Sequence, residues 1–123
     1  GYIVLEAVIS LKKGNIEEIT ALSRKLSAQR IEKQPLEYPS AGSTFKRPEG
    51  YFAGKLIMDS NLRGYRVGGA QVSEKHCGFV INAGGATAED VSILMKNVTD
   101  IVYEKFGVKL EPEVKFLGKF DGR

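Results

Sequence analysis

Apolar positions along the chain change their spacing several times, and each change marks an element. Tyr2-Ile3-Val4-Leu5-Glu6-Ala7-Val8-Ile9-Ser10-Leu11 is a β-branched, apolar run that predicts a strand over 2–11. Lys12-Lys13-Gly14 breaks it. Ile16, Ile19, Leu22, Leu26 and Ile31 then recur at near-helical spacing and predict a helix to about Lys33. Asn15 is its N-cap, Glu18 the capping partner, and Gln34-Pro35 its stop. Two prolines bracket the stretch Pro39 to Pro48, which carries a Gly-Ser pair and predicts a tight, exposed loop rather than a helix or strand.

Beyond that loop the pattern resumes. Tyr51 to Asp59 predicts a short helix with Phe52, Leu56 and Met58 on a shared buried side. Tyr65 to Ser73 predicts a strand interrupted by Gly68-Gly69, a mark of a bulge or of a close backbone approach. Phe79 to Asn82 reads as a short buried strand, and Ala83-Gly84-Gly85-Ala86 as a turn. Thr87 with Asp90 caps a long helix whose stripe is Val91, Leu94, Met95, Val98, Ile101, Val102 and Phe106, with Gly107 at C′. Val108 to Leu117 is a last strand, placed at an edge or bulge by Pro112. A polar tail covers 119–123. This order predicts an α+β fold, a small mixed sheet with helices packed mainly on one face. A rich strand at the very start needs pairing on its edges. The expectation is that an upstream part is missing; the alternative is a domain whose first strand simply comes early.

Composition narrows the class. The chain has 123 residues, 42% hydrophobic and 27% charged, which suits one globular domain and excludes wholesale disorder. A net charge of +3, without a run of like charges, gives no case for nucleic acid. No Trp and no interleaved aromatic and basic pattern argues against a single-strand platform. The lone cysteine, Cys77, cannot form an internal disulfide and suits a small core position in a reducing compartment. No apolar stretch reaches membrane-spanning length, and no cleavable signal pattern is present. P-loop, zinc-ligand and nucleophile-elbow patterns are absent.

What chemistry remains is sparse. In the loop, a backbone N–H nest, the Ser43 hydroxyl and the cations Lys46 and Arg47 suit an anionic ligand, or else form a polar surface turn. Ser43 has no sequence-near base to make it a nucleophile, but a hydroxyl can give its proton to a carbanion formed within reach. Glu113, after Pro112 on an otherwise apolar strand, is a candidate carboxyl if it turns inward and an edge charge if it does not. His76 and Cys77 are neighbours on an extended stretch and so face opposite sides, Cys77 inward and His76 outward toward a ligand. A metal there would need ligands from elsewhere.

Three segments carry a resemblance: Ser40-Ala41-Gly42-Ser43-Thr44-Phe45-Lys46-Arg47-Pro48, Tyr65-Arg66-Val67-Gly68-Gly69-Ala70-Gln71-Val72-Ser73-Glu74-Lys75-His76, and Leu110-Glu111-Pro112-Glu113-Val114-Lys115. In this order they resemble the C-terminal part of the bacterial UDP-N-acetylenolpyruvoylglucosamine reductases, over about Tyr2 to Gly118. The chain looks closest to the branch that lacks an extra tyrosine-bearing substrate loop. The resemblance implies a cytoplasmic, NADPH-dependent FAD enzyme that makes UDP-N-acetylmuramate for peptidoglycan from a UDP-sugar enolpyruvate. It implies that Ser43 donates the proton and that Glu113 assists at the substrate carboxylate and enol. Gly42 is assigned to the cofactor. Arg30 and Lys33 are assigned to the UDP phosphates. Arg47 and His76, which stand where some relatives have Asn and Gln, are assigned to nucleotide or substrate. Lys115 keeps the charge of an Arg in many relatives but loses its bidentate fork.

The resemblance also implies a division: residues 1–33 as the tail of the flavin-binding domain, 34–109 as the substrate domain, and 110–123 as a return strand and tail. The main flavin-binding region, with its own catalytic arginine, lies upstream in the family. The chain alone is therefore expected neither to hold FAD tightly nor to reduce substrate. Its first and last strands, lacking partners, are expected to pair with each other or with a second copy. The rival expectation is a non-enzymatic nucleotide-sugar binding module that uses the same loop for phosphate alone.

Overall fold

The computed structural model describes residues 2–120, and its contacts divide the chain into two units, residues 1–32 and 33–123. Part of the expected polar tail, residues 121–123, lies outside the described residues. In the first unit Asn15 opens helix α1 (Ile16–Lys33). Its Oδ1 accepts from the N–H groups of Glu17 at 2.8 Å and Glu18 at 3.2 Å, satisfying donors that a helix start otherwise leaves free. The predicted helix is thus present, with no buried residue along it. The strand expected over 2–11 does not form: residues 2–14 enter no ladder among the described residues. β-Branched composition favours a pleated, half-covered surface, but a strand exists only opposite a partner.

The second unit holds the core. Its strands are β1 (Ser40–Ser43), β2 (Arg66–Val67), β3 (Ala70–Val72) and β4 (Phe79–Asn82), in the spatial order β1-β4-β3-β2. The α+β class stands, and every pairing is antiparallel, so the sheet is not mixed. Short hairpin-type connections join β2, β3 and β4, whereas a parallel pair needs a crossover of a dozen or more residues. Helix α3 (Ala88–Phe106) lies across β2 and β3, and helix α2 (Ala53–Asp59) packs beside α3. Leu94, Met95, Val98 and Val102 of α3 are fully buried against Ile57, Val72, Ala70 and Leu110.

Three expectations change in this unit. Ser40–Ser43 is a strand, because Asn82 N–H donates to Pro39 O at 2.8 Å and Thr44 N–H to Gly78 O at 2.9 Å. Loop-forming residues are tolerated here because the pairing is bulged at Gly42, which takes φ 84. Helix α2 starts at Ala53, so Ala53, Leu56 and Ile57 face the core while Phe52 and Met58 are exposed. The expected last strand reduces to one bridge, Phe45 opposite Pro112. There Lys46 N–H donates to Glu111 O at 2.8 Å and Glu113 N–H to Thr44 O at 2.9 Å. Pro112 thus occupies the one position of the pair whose N–H the ladder does not use.

The Gly68-Gly69 pair is a two-residue hairpin turn between β2 and β3, with φ 53 at Gly68. The close approach expected of it is also real: a Cβ on Gly69 would lie 2.3 Å from Gly84 O and 2.4 Å from Ala86 N. Asp90 clamps the same corner. Its carboxylate accepts from Thr87 N–H at 2.9 Å and Gly69 N–H at 3.4 Å, while Thr87 Oγ1 accepts from Asp90 N–H at 3.0 Å. This is the predicted capping box, and it also ties the hairpin to the start of α3.

The hydrogen bonds from Thr87 and Gly69 hold the Asp90 carboxyl below its ordinary value of 3.8. A lowered folded-state pKa gives stability that is full above the unfolded value and is lost as pH falls through the folded one. Asp90→Asn is therefore expected to melt below wild type at neutral pH, with the two curves converging as pH drops below 3.8. Thermal melts across that range check it; a gap independent of pH would contradict the assignment.

Candidate active site

One open cavity of about 470 Å³ in the second unit gathers residues from segments far apart in the chain. Ser43 comes from the end of β1, Arg47 from the segment after it, and His76, Cys77 and Gly78 from the turn before β4. Glu113 comes from the C-terminal bridge, and Phe52, Lys55 and Met58 from α2 and its cap. A space of this size suits a small molecule. Its lining carries the cations Arg47, Lys55, Arg63 and Lys75 and one carboxylate, Glu113.

Each side chain has a local reason for its place. At the β1 bulge the chain advances from Ser40 to Ser43 while β4 moves only from Ile81 to Phe79. A bulge bends the strand and re-aims the following side chain, and Ser43 at its end lines the cavity. The two loop cations separate, as neighbours on an extended chain do. Lys46 turns to Glu111 at 3.0 Å, whereas Arg47 lies 4.0 Å over the Phe52 ring beside the cavity. Lys55 pairs with Asp59 at 2.8 Å and Lys75 with Glu37 at 3.6 Å. Arg63 donates to Glu74 O and, at 3.2 Å, to Met58 Sδ.

His76 sits in a turn rather than on a strand, and it is exposed while Cys77 is 6% exposed, the inward–outward split expected. Its Nδ1 accepts from Gly78 N–H at 3.0 Å. The proton of the neutral ring is therefore on Nε2, which is left as a donor. An edge contact with Phe79 at 5.1 Å between ring centroids braces the ring.

Of the residues singled out in the sequence, Ser43, Arg47, His76 and Glu113 line this one cavity. Gly42 is the bulge residue beside it, with open space where a Cβ would be. Lys33 ends α1 and is exposed, outside the cavity lining, and Arg30 belongs to the first unit. Lys115 is exposed. Sequence reasoning missed Phe52, Lys55 and Arg63 as lining residues. Lys55 and Arg63 stand in ordinary helical and loop surroundings, where a single cation looks like a solvated charge. Among the described residues no cluster of His, Cys, Asp and Glu has the makings of a metal site, and no helix is long and apolar enough to cross a membrane.

The site is a cation-lined cavity with one serine and one carboxylate in a small α+β unit. Comparison with known proteins is more specific: residues 34–117 match the model of the UDP-N-acetylenolpyruvoylglucosamine reductase C-terminal domain, and the chain belongs to that family. It is 67% identical over 119 residues to the UDP-N-acetylenolpyruvoylglucosamine reductase of Lachnoclostridium phytofermentans, covering 97% of this chain and 38% of that protein. It is 66% identical over 120 residues to the protein of the same name from Agathobacter rectalis, covering 98% and 38%. Among solved structures, the UDP-N-acetylenolpyruvylglucosamine reductase of Thermus caldophilus matches with a TM-score of 0.70 and 36% identity, over 86% of this chain and 37% of that one. The chain thus spans well under half the length of these relatives.

Burial pushes the Cys77 thiol above its ordinary value, and the charge of Arg63 pulls it back only in part. The thiol stays protonated at neutral pH and makes a poor nucleophile despite lining the cavity. Alkylation by iodoacetamide is expected to be at least roughly tenfold slower than for free cysteine, and to speed up on unfolding. Equal rates in the folded protein would contradict this.

Proposed function

We propose that this chain is the substrate-binding and proton-donating part of an NADPH-dependent flavoenzyme. The reaction converts UDP-N-acetylglucosamine enolpyruvate to UDP-N-acetylmuramate in cytoplasmic peptidoglycan synthesis. The observation that carries the reading is the meeting of Ser43 and Glu113, from opposite ends of the second unit, in one cation-lined cavity. Family membership supports it.

In this reading Arg47, Lys55, Arg63 and Lys75 take the diphosphate of the UDP-sugar, where their summed field offsets its negative charge. His76 offers its Nε2 proton to a phosphate or sugar oxygen. When bound, a reduced flavin would supply a hydride to one carbon of the enolpyruvyl double bond. The electron pair moves to the neighbouring carbon, next to the substrate carboxylate, and the charge spreads as an enolate. Ser43 gives its hydroxyl proton to that carbon and regains one from water. Glu113 acts at the carboxylate and enol end, where charge develops most and nearby groups weigh most in the transition state. Gly42, which has open space where a Cβ would be, is assigned to the cofactor. Arg30 and Lys33 are assigned to the phosphates, and residues 1–33, 34–109 and 110–123 to flavin-domain tail, substrate domain and return segment.

In the full-length protein, Ser43→Ala is expected to leave flavin reduction by NADPH intact. It should slow reoxidation by the enolpyruvyl substrate roughly 100- to 10,000-fold, the span of a lost general acid. Stopped-flow absorbance of the flavin reads both half-reactions, and unchanged reoxidation would remove Ser43 from the mechanism. The chain by itself, spanning 38% of its relatives' length, is expected to take up no FAD in stoichiometric amount; a yellow purified complex would refute that.

A further inference from the structure

We infer that Thr44 is a positioning residue that holds Ser43 and Glu113 in register with each other. The inference rests on the roles proposed above for those two residues. Thr44 is 2% exposed and does not touch the cavity, but it is bonded on three sides. Its N–H donates to Gly78 O at 2.9 Å, fixing the end of β1 to the turn that carries His76. Its carbonyl accepts from Glu113 N–H at 2.9 Å, fixing the backbone of the carboxylate residue. Its Oγ1 accepts from the buried N–H of Val80 at 2.9 Å.

The third bond is the informative one. Alternate residues of β4 direct their backbone groups toward β1, and Val80 lies between two that do so, Gly78 and Asn82. Its N–H therefore points at the bulged stretch of β1, where the ladder is irregular. The Thr44 hydroxyl supplies the acceptor there. Without it, a buried donor loses its partner, and the chain can regain one by letting β1 slip and regularise the ladder. A one-residue slip exchanges the two faces of a strand. Ser43 would then turn away from the cavity, with Gly42, already at φ 84, as the pivot. The Thr44 hydroxyl thus selects the bulged register, and the bulged register aims Ser43.

The test uses the full-length flavoprotein with bound FAD, NADPH and the enolpyruvyl UDP-sugar. Thr44→Val keeps the shape and removes the acceptor; Thr44→Ser keeps the acceptor. Thr44→Val is expected to slow flavin reoxidation by substrate about tenfold or more, as misplacement of a reacting group does. Flavin reduction by NADPH and the substrate Kd should stay within about threefold of wild type. Thr44→Ser is expected to restore reoxidation to within about threefold. If Thr44→Val yields no folded flavoprotein, Thr44→Ala, which also removes the acceptor at Val80 N–H, is read in the same way. Reoxidation by Thr44→Val at the wild-type rate, or a Thr44→Ser enzyme as slow as the valine variant, overturns the inference. Ser43→Ala is run alongside. Should it leave reoxidation unchanged, the reading of Ser43 falls; should it slow reoxidation while Thr44→Val does not, only the role of Thr44 falls.

Discussion

The antiparallel bridge between Phe45 and Pro112 is the contact on which the site depends. It returns the C-terminal segment to the end of β1 and so brings Glu113 to the cavity that Ser43 lines. Two backbone hydrogen bonds flank it, and each is worth only about 1 kcal/mol net. Burial supplies more. Phe45 and Leu110, 4% and 1% exposed, each contribute roughly 2–3 kcal/mol by leaving water. The apolar anchors hold the segment, and the hydrogen bonds decide its register.

The cavity owes its shape to where α2 begins. With Ala53 as the first helical residue, Ala53, Leu56 and Ile57 turn to the core, and Phe52, Lys55 and Met58 are left along the rim of the site. Phe52 then serves as a floor for the Arg47 guanidinium, a stacking worth about 0.5–1 kcal/mol at an exposed site. That is too little to stabilise the fold noticeably but enough to orient a cation. Lys46, one residue earlier, is drawn off to Glu111, and its hydrogen bond, with its charge, pulls the Glu111 carboxyl below the ordinary range. The adjacent cations Lys46 and Arg47 thus have different duties, one structural and one facing the cavity.

Much of this was legible in the sequence wherever the signal is local. The caps of α1 and α3, the α3 stripe and β4 all follow from spacing and capping chemistry, because a helix satisfies its own backbone and β4 is apolar up to Asn82. Features that depend on a partner were not legible. Ser40–Ser43 looks like a loop because its residues are small and polar, and only pairing with β4 makes it a strand. Tyr2–Leu11 looks like a strand because of its β-branched residues, but no ladder forms on it among the described residues. Ser43, Arg47, His76 and Glu113, which line one cavity, were singled out because motif order pointed to them. Lys55 and Arg63 were not, since nothing short-range distinguishes them from solvated surface charges. Thr44 is hidden for another reason: its importance lies in the hydrogen bonds it makes, and threonine is unremarkable in sequence.

The Phe45–Pro112 bridge also sets the order in which the site can assemble. Its two halves are far apart along the chain, so closing it costs loop entropy that neighbouring contacts do not repay until the core is in place. The segment after Leu110 is mostly exposed or half-covered, which places it among the parts of a fold that open first. Ser43 and Glu113 can therefore be separated by a local opening that leaves α3 and the sheet intact. Under mild stress the cavity lining is lost before the core.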